Sequence, residues 1–256
     1  MDFGIRGRTA LVTGGSAGIG EAVALALGAE GVRLAVVSRD LERCRSVAQR
    51  AEQRGSPQAQ GFHCDLQESD SIAAMLGAVR DAFGEVEIAV LNGGGPPAGR
   101  FTEVTAAQWD AGYRLVMRSM LLLAQSLAAS MRARRWGRIV ALTSSSVKQP
   151  IDTLVLSNAF RTGLVSALRT LAVEVAAEGV TVNAIATGRI DTERLRELYE
   201  GDAQRLRDAA QEVPIGRFAT PHEFAPMVAF LCSEPARYVT GQTISVDGGL
   251  VRGLFG

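Results

Sequence analysis

Short apolar runs alternate with longer amphipathic segments from the first residues onward. The runs at residues 9–13, 32–37, 87–91, 138–143, 180–185 and 243–246 are rich in Val, Ile and Leu, as strands buried on both faces must be. A further strand is predicted at 58–64. Helical periodicity occupies 18–29, 41–54, 69–83, 106–134 and 156–177. Regular alternation of this kind predicts an α/β domain in which helices cover both faces of a parallel sheet. The segment 191–218 is polar, helical in pattern and bounded by Gly188 and Pro214, which predicts an insertion above the sheet that covers a substrate pocket.

Composition narrows the class of partner. The chain has 256 residues, 47% hydrophobic and 21% charged, which suits a single globular domain. Lys plus Arg and Asp plus Glu both total 27, so no bulk field favours nucleic acid or an anionic membrane, and a small-molecule partner is expected. Cys44, Cys64 and Cys232 are widely spaced with no CxxC pair, which argues against a disulfide framework or a thiolate metal site and fits a reducing, cytoplasmic setting. His63 and His222 lie far apart, so neither an HExxH site nor a Ser–His pair is indicated and no metal is expected. The stretch from Met1 to Arg6 carries an acid and lacks an apolar leader core, and no later run has the length of a membrane span; a soluble, unprocessed chain is expected.

The clearest chemistry lies at the first strand-to-helix corner. Thr13-Gly14-Gly15-Ser16-Ala17-Gly18-Ile19-Gly20 places glycines where a strand must turn sharply into a helix. Gly14 can take a conformation closed to other residues, Gly18 lets the backbone approach a pyrophosphate, and Gly20 permits close helix packing on the sheet. The helix N-terminus adds partial positive charge. The spacing is GxxxGxG. At the end of the second strand, where an acid would bind a ribose 2′-hydroxyl, the chain has Ser38-Arg39. Arg39 can grip a 2′-phosphate with its planar fork while Ser38 donates a hydroxyl, which favours NADP(H) over NAD(H). The alternative is that Arg39 is a solvated surface residue; Asp40 caps the next helix on either reading.

With these residues in place, the chain resembles the short-chain dehydrogenases/reductases over essentially its whole length. Thr13-Gly14-xxx-Gly18-x-Gly20 is similar to the family's cofactor turn, Ser16 and Ile19 included. Asp65-Leu66 resembles its adenine contact, and Leu91-Asn92-Gly93-Gly94 is a degraded form of its Asn-Asn-Ala-Gly segment. The stretch from Val182 to Gly188 resembles one that usually ends Pro-Gly, with Thr192 where the family contacts the nicotinamide carboxamide. Thr240-Gly241-Gln242 and Val246-Asp247-Gly248-Gly249 match its C-terminal signature. The wording is most similar to 3-oxoacyl-acyl carrier protein reductases. The resemblance implies a Rossmann-type doubly wound sheet, a tyrosine that protonates the substrate oxygen, a lysine that lowers that tyrosine's pKa and holds the ribose, and a serine bonded to the oxygen.

The sequence departs from that pattern at the reacting groups. Aligning Gly137-Arg138-Ile139-Val140 on the fifth strand puts the family's serine at Ser144. Ser157 stands where the tyrosine belongs, Arg161 replaces the lysine, and Val116 falls at a supporting asparagine. A serine is a far weaker acid than a phenol, and arginine binds ribose hydroxyls but cannot shuttle protons. Lys148 is the one lysine in the chain, four residues after Ser144. One reading is that Lys148, with Ser144 and Ser157, replaces the tyrosine–lysine pair; the other is an exposed loop cation before Pro150. Two functions remain open: an NADP(H)-dependent reductase of a carbonyl or activated double bond with an altered acid, or a dinucleotide-binding protein acting as sensor or oligomer partner. Apolar surface on the 106–134 and 156–177 helices, which the family pairs between subunits, predicts a homo-oligomer, a tetramer by resemblance.

Overall fold

The computed structural model describes residues 2–254. Its strands are β1 Thr9–Thr13, β2 Arg33–Ser38, β3 Ala59–His63, β4 Ile88–Leu91, β5 Gly137–Leu142, β6 Val180–Thr187 and β7 Thr243–Val246. They form one parallel sheet in the order β3-β2-β1-β4-β5-β6-β7. Helices α1 Gly18–Ala29, α2 Leu41–Gln53, α3 Ser69–Phe83, α4 Ala106–Gly112, α5 Ser119–Ala133, α6 Val155–Val175, α7 Glu193–Leu198, α8 Ala203–Gln211 and α9 Pro221–Leu231 connect and cover it. This is the doubly wound α/β architecture that the alternation predicts.

Strand residues divide by parity between two cores. Ala10, Val12, Leu34 and Val36 pack on one face with Val23, Leu27 and Phe224; Leu11, Ala35 and Val37 pack on the other with Val79, Leu123 and Leu168. Because each face needs apolar side chains, the strands carry continuous rather than alternating hydrophobic runs. Strand order reverses between β1 and β4, whose carboxyl ends carry Gly14 and Asn92. An open sheet leaves a crevice at such a point, and the ligand site of this architecture lies there.

Three elements differ from the sequence reading. The expected 106–134 helix is interrupted at Tyr113–Arg118, where the backbone adopts π-helical bonding before α5 resumes. The Ser119 hydroxyl donates to the Leu115 carbonyl at 2.6 Å inside this turn. The 191–218 segment holds two short helices, α7 and α8, joined by a turn, with Asp202 capping the start of α8. Helix α9 was not anticipated, although Thr220-Pro221-His222-Glu223 is a capping box with proline in the first turn, and both reciprocal bonds form. Among the described residues, no helix is long and apolar enough to cross a membrane.

Candidate active site

The corner after β1 is shaped by its glycines. Gly14 has φ +58°, and a Cβ there would lie 2.7 Å from the Asn92 carbonyl oxygen. At Gly20 a Cβ would come within 2.0 Å of the Gly14 carbonyl oxygen, so α1 can approach the turn this closely only with glycine there. Asn92 ties the two strands together: its backbone N–H donates to the Thr13 hydroxyl at 2.8 Å and its side-chain amide to the Gly14 carbonyl at 3.3 Å.

A cavity of about 870 Å³ opens at this switch point. Its walls include Gly14, Ser16, Gly18 and Ile19 from the corner, Asn92 and Gly93 after β4, Ser144 after β5, Ser157 and Arg161 from α6, and Thr192 at the start of helix α7. Residues separated by as many as 178 positions in the chain, from Gly14 to Thr192, thus meet around one cavity. The N-terminus of α1 makes no side-chain cap bond, whereas Asp40 and Asp202 cap α2 and α8. Free N–H donors facing a cavity are the arrangement that receives a phosphate. The Thr187 hydroxyl, buried in the same wall without a partner, is a further polar group for a ligand to satisfy, and sequence reasoning did not single it out.

The other expected cofactor residues lie outside the cavity lining. Ser38 and Arg39 end β2, and Asp65 and Leu66 follow β3, so all four share the carboxyl edge of the sheet. Arg39 is exposed. The Ser38 hydroxyl is engaged locally, donating to the Asp40 carbonyl at 3.1 Å and accepting from the Asp40 N–H at 3.0 Å, so it offers no free proton in this conformation. The Asp65 carboxylate accepts from the Gln67 N–H at 2.9 Å, and Leu66 packs on the core beneath.

The catalytic candidates are brought together with one exception. Ser144 is half-buried, and its Oγ accepts the Ser146 N–H at 3.1 Å, which leaves its own proton free. The buried hydroxyls of Ser146 and Ser157 lie 3.2 Å apart. Arg161 donates Nη1 to the Leu142 carbonyl at 3.0 Å and Nη2 to the Gly94 carbonyl at 3.4 Å. Burial, followed by the nearby charge of Arg194, pushes the Arg161 guanidinium down to about 10, so it remains a cation at neutral pH. Lys148 is the exception: it ends the tight turn Ser145–Val147, half-buried, and does not line the cavity. The turn closes through its N–H on the Ser145 carbonyl at 2.9 Å. The geometry therefore does not support Lys148 as the replacement acid. Neither Ser146, whose hydroxyl touches that of Ser157, nor Arg194, which lines the cavity, was foreseen.

Comparison with known proteins gives this site its context. The family described as enoyl-(acyl carrier protein) reductase matches residues 14–251. The chain belongs to the short-chain dehydrogenase/reductase family. It is 31% identical over 250 residues to a 3-oxoacyl-[acyl-carrier-protein] reductase of Aquifex aeolicus, covering 98% of this chain and 100% of that one. The solved L-sorbose reductase from Gluconobacter frateurii, complexed with NADPH and L-sorbose, superposes with a TM-score of 0.93 at 32% identity, covering 99% of this chain and 100% of the other. An actinorhodin polyketide ketoreductase variant with NADPH gives a TM-score of 0.91 at 32% identity, with 96% and 98% covered. In this member of the family the crevice of the fold and the cavity lined by Ser144, Ser157 and Arg161 are one feature.

Proposed function

We propose that this protein is an NADP(H)-dependent short-chain reductase of carbonyl compounds, similar to the 3-oxoacyl reductases, whose serine cluster and Arg161 replace the family's tyrosine–lysine pair. The observation that carries the reading is the single cavity shared by the uncapped start of α1 and by Ser144, Ser157 and Arg161. The NADPH complexes among its structural relatives support the choice of cofactor. The N–H groups of Ser16 to Ile19 would hold the pyrophosphate, Asn92, Gly93 and Thr192 the nicotinamide end, Asp65 and Leu66 the adenine, and Arg39 beside Ser38 the 2′-phosphate.

The bound cofactor supplies the hydride. On this reading the Ser144 hydroxyl donates to the substrate oxygen, since one of its lone pairs accepts the Ser146 N–H while its own proton is free. Arg161 offsets the negative charge that develops on that oxygen, a task that needs a fixed cation and no proton. The proton then reaches the oxygen from water by way of the Ser146 and Ser157 hydroxyls, either of which can donate to the other. Such a relay is slower than a phenol at the same place, because a weaker acid gives less help in the transition state.

The loss of a strong acid favours the second reading, a dinucleotide-binding sensor or oligomer partner with little turnover. Mixing the protein with NADPH and a panel of ketones, 3-oxo acids, 3-oxoacyl thioesters and enones, while following absorbance, separates the two. Turnover of any carbonyl supports the reductase; tight NADPH binding with none across the panel supports the sensor. The tetramer belongs to the same proposal, with Val173 on α6 75% exposed in a single copy. A solution mass near that of one 27.1 kDa chain would remove it.

A further inference from the structure

The charged groups that line the cavity are neutralised in pairs, with one exception. Glu21 pairs with Arg50, Glu193 with Arg43, Glu197 with Arg194 and Asp191 with Arg196. Arg161 has no such partner: among the described residues, no carboxylate lies within ion-pair distance of its guanidinium. It is also the deepest of these charges, 9% exposed. Its two bonds go to the backbone carbonyls of Leu142 and Gly94, which satisfy donors without supplying charge. A buried cation left in this state is costly, and the cost is recovered when an anion arrives.

A second guanidinium sharpens the demand. Arg194 reaches down from α7 and donates to the Pro96 carbonyl at 2.9 Å, so the loop from Gly94 to Pro96 is held between it and Arg161. Its single carboxylate partner, Glu197, stands off at 3.4 Å and is largely exposed. The phosphates of a dinucleotide do not meet this need, because they belong at the α1 end of the cavity. A neutral ketone or thioester does not meet it either.

We propose that Arg161, with Arg194 on the lid side, forms a carboxylate subsite, and that the acceptor is an oxo acid whose carboxylate lies beside the carbonyl presented to Ser144 and Ser157. The naming of an acceptor rests on the reductase reading; the anion subsite does not. Three N–H groups of the Arg161 fork remain beyond its two backbone bonds, and a planar carboxylate can take two of them side by side.

The test is calorimetric titration of oxamate, a carboxylate beside an amide carbonyl, into the protein both alone and loaded with NADPH. Oxamide, its neutral counterpart, is the control. The expected result is oxamate binding in both states, roughly 10- to 100-fold weaker in Arg161→Gln and partly restored in Arg161→Lys, with oxamide bound by neither. Equal affinity for oxamate and oxamide, or oxamate binding undiminished in Arg161→Gln, would overturn the subsite. Failure of NADPH to bind while oxamate still does would remove the reductase reading and leave the subsite standing. A thermal melt of Arg161→Gln at or above that of the parent separates loss of binding from loss of fold.

Discussion

Ser146 and Ser157, the second of which lines the cavity, face each other Oγ to Oγ at 3.2 Å, and both are nearly closed to solvent. One belongs to the tight turn after β5 and the other to the first turn of α6, so this bond joins the two elements that carry Ser144 and Arg161. Each hydroxyl can donate in only one direction at a time. The pair can therefore pass a proton, but it contributes little acidity of its own.

Restoring a phenol should relieve that weakness. In Ser157→Tyr combined with Arg161→Lys, turnover of neutral ketones is expected to rise by about tenfold or more, since a positioned general acid contributes on the order of 10² or more. Preference for oxo acids over neutral ketones should fall in the same variant, because the fixed guanidinium has gone. Steady-state kcat/KM on a ketone and its oxo-acid analogue reads both effects; an unchanged ratio would detach Arg161 from substrate choice.

What the sequence conveyed and what it did not follow a physical division. The strands were legible because Val36 and Leu11 sit in runs buried on both faces, and the glycine corner because Gly14 and Gly20 occupy places where a Cβ would strike backbone. Ser144, Ser157 and Arg161 could be placed together only through the resemblance, which supplies the positions of the reacting groups after the fifth strand. The π turn at Tyr113–Arg118 changes only which carbonyl each N–H meets, a choice that apolar periodicity does not encode. Arg194 was hidden for a different reason: its partner Pro96 lies 98 residues away, brought near only by the tertiary fold. The place of Lys148 outside the cavity lining was hidden too, because proximity to Ser144 in sequence says nothing about the tight turn between them.

Arg138 is expected to be a stability determinant with no part in chemistry. It is 2% exposed, lies over the Trp136 ring at 4.4 Å, pairs with Glu234 at 3.5 Å and donates to the carbonyls of Gly137, Gly179 and Ser233. Replacing it with Met keeps most of the apolar contact but leaves those buried acceptors without donors, at a cost of about 3 kcal/mol. Urea unfolding should show the loss, while NADPH affinity of the folded protein stays the same.

Acid should loosen the start of α9 through Glu223. Its carboxylate is paired with Arg217 and bonded to the N–H and hydroxyl of Thr220, contacts that hold its pKa at about 2 instead of 4.5. A group lowered in the folded state adds stability at pH above its unfolded value and gives it up as pH falls through the folded one. The contribution of Glu223 is therefore complete above pH 4.5 and fades towards pH 2. Urea midpoints measured across this window should fall less steeply in Glu223→Gln than in the parent; parallel slopes would show that the cap contributes nothing measurable.

On the proposed reading, cofactor choice turns on Arg39. It stands exposed at the end of β2, and among the described residues no carboxylate lies within ion-pair distance of it, because the neighbouring Asp40 is directed to Arg43. A guanidinium held free at this edge can take a 2′-phosphate without first breaking a bond. Arg39→Ala should weaken NADPH binding by roughly 10- to 100-fold, the worth of one charge-assisted contact, and leave NADH binding unchanged. Arg39→Asp should go further and favour NADH, since a carboxylate there accepts from the ribose hydroxyl and repels the phosphate. Fluorescence titration with both nucleotides distinguishes the cases: an equal loss for the two would mean that Arg39 supports the fold of the edge, and no loss for either would place the 2′-phosphate elsewhere.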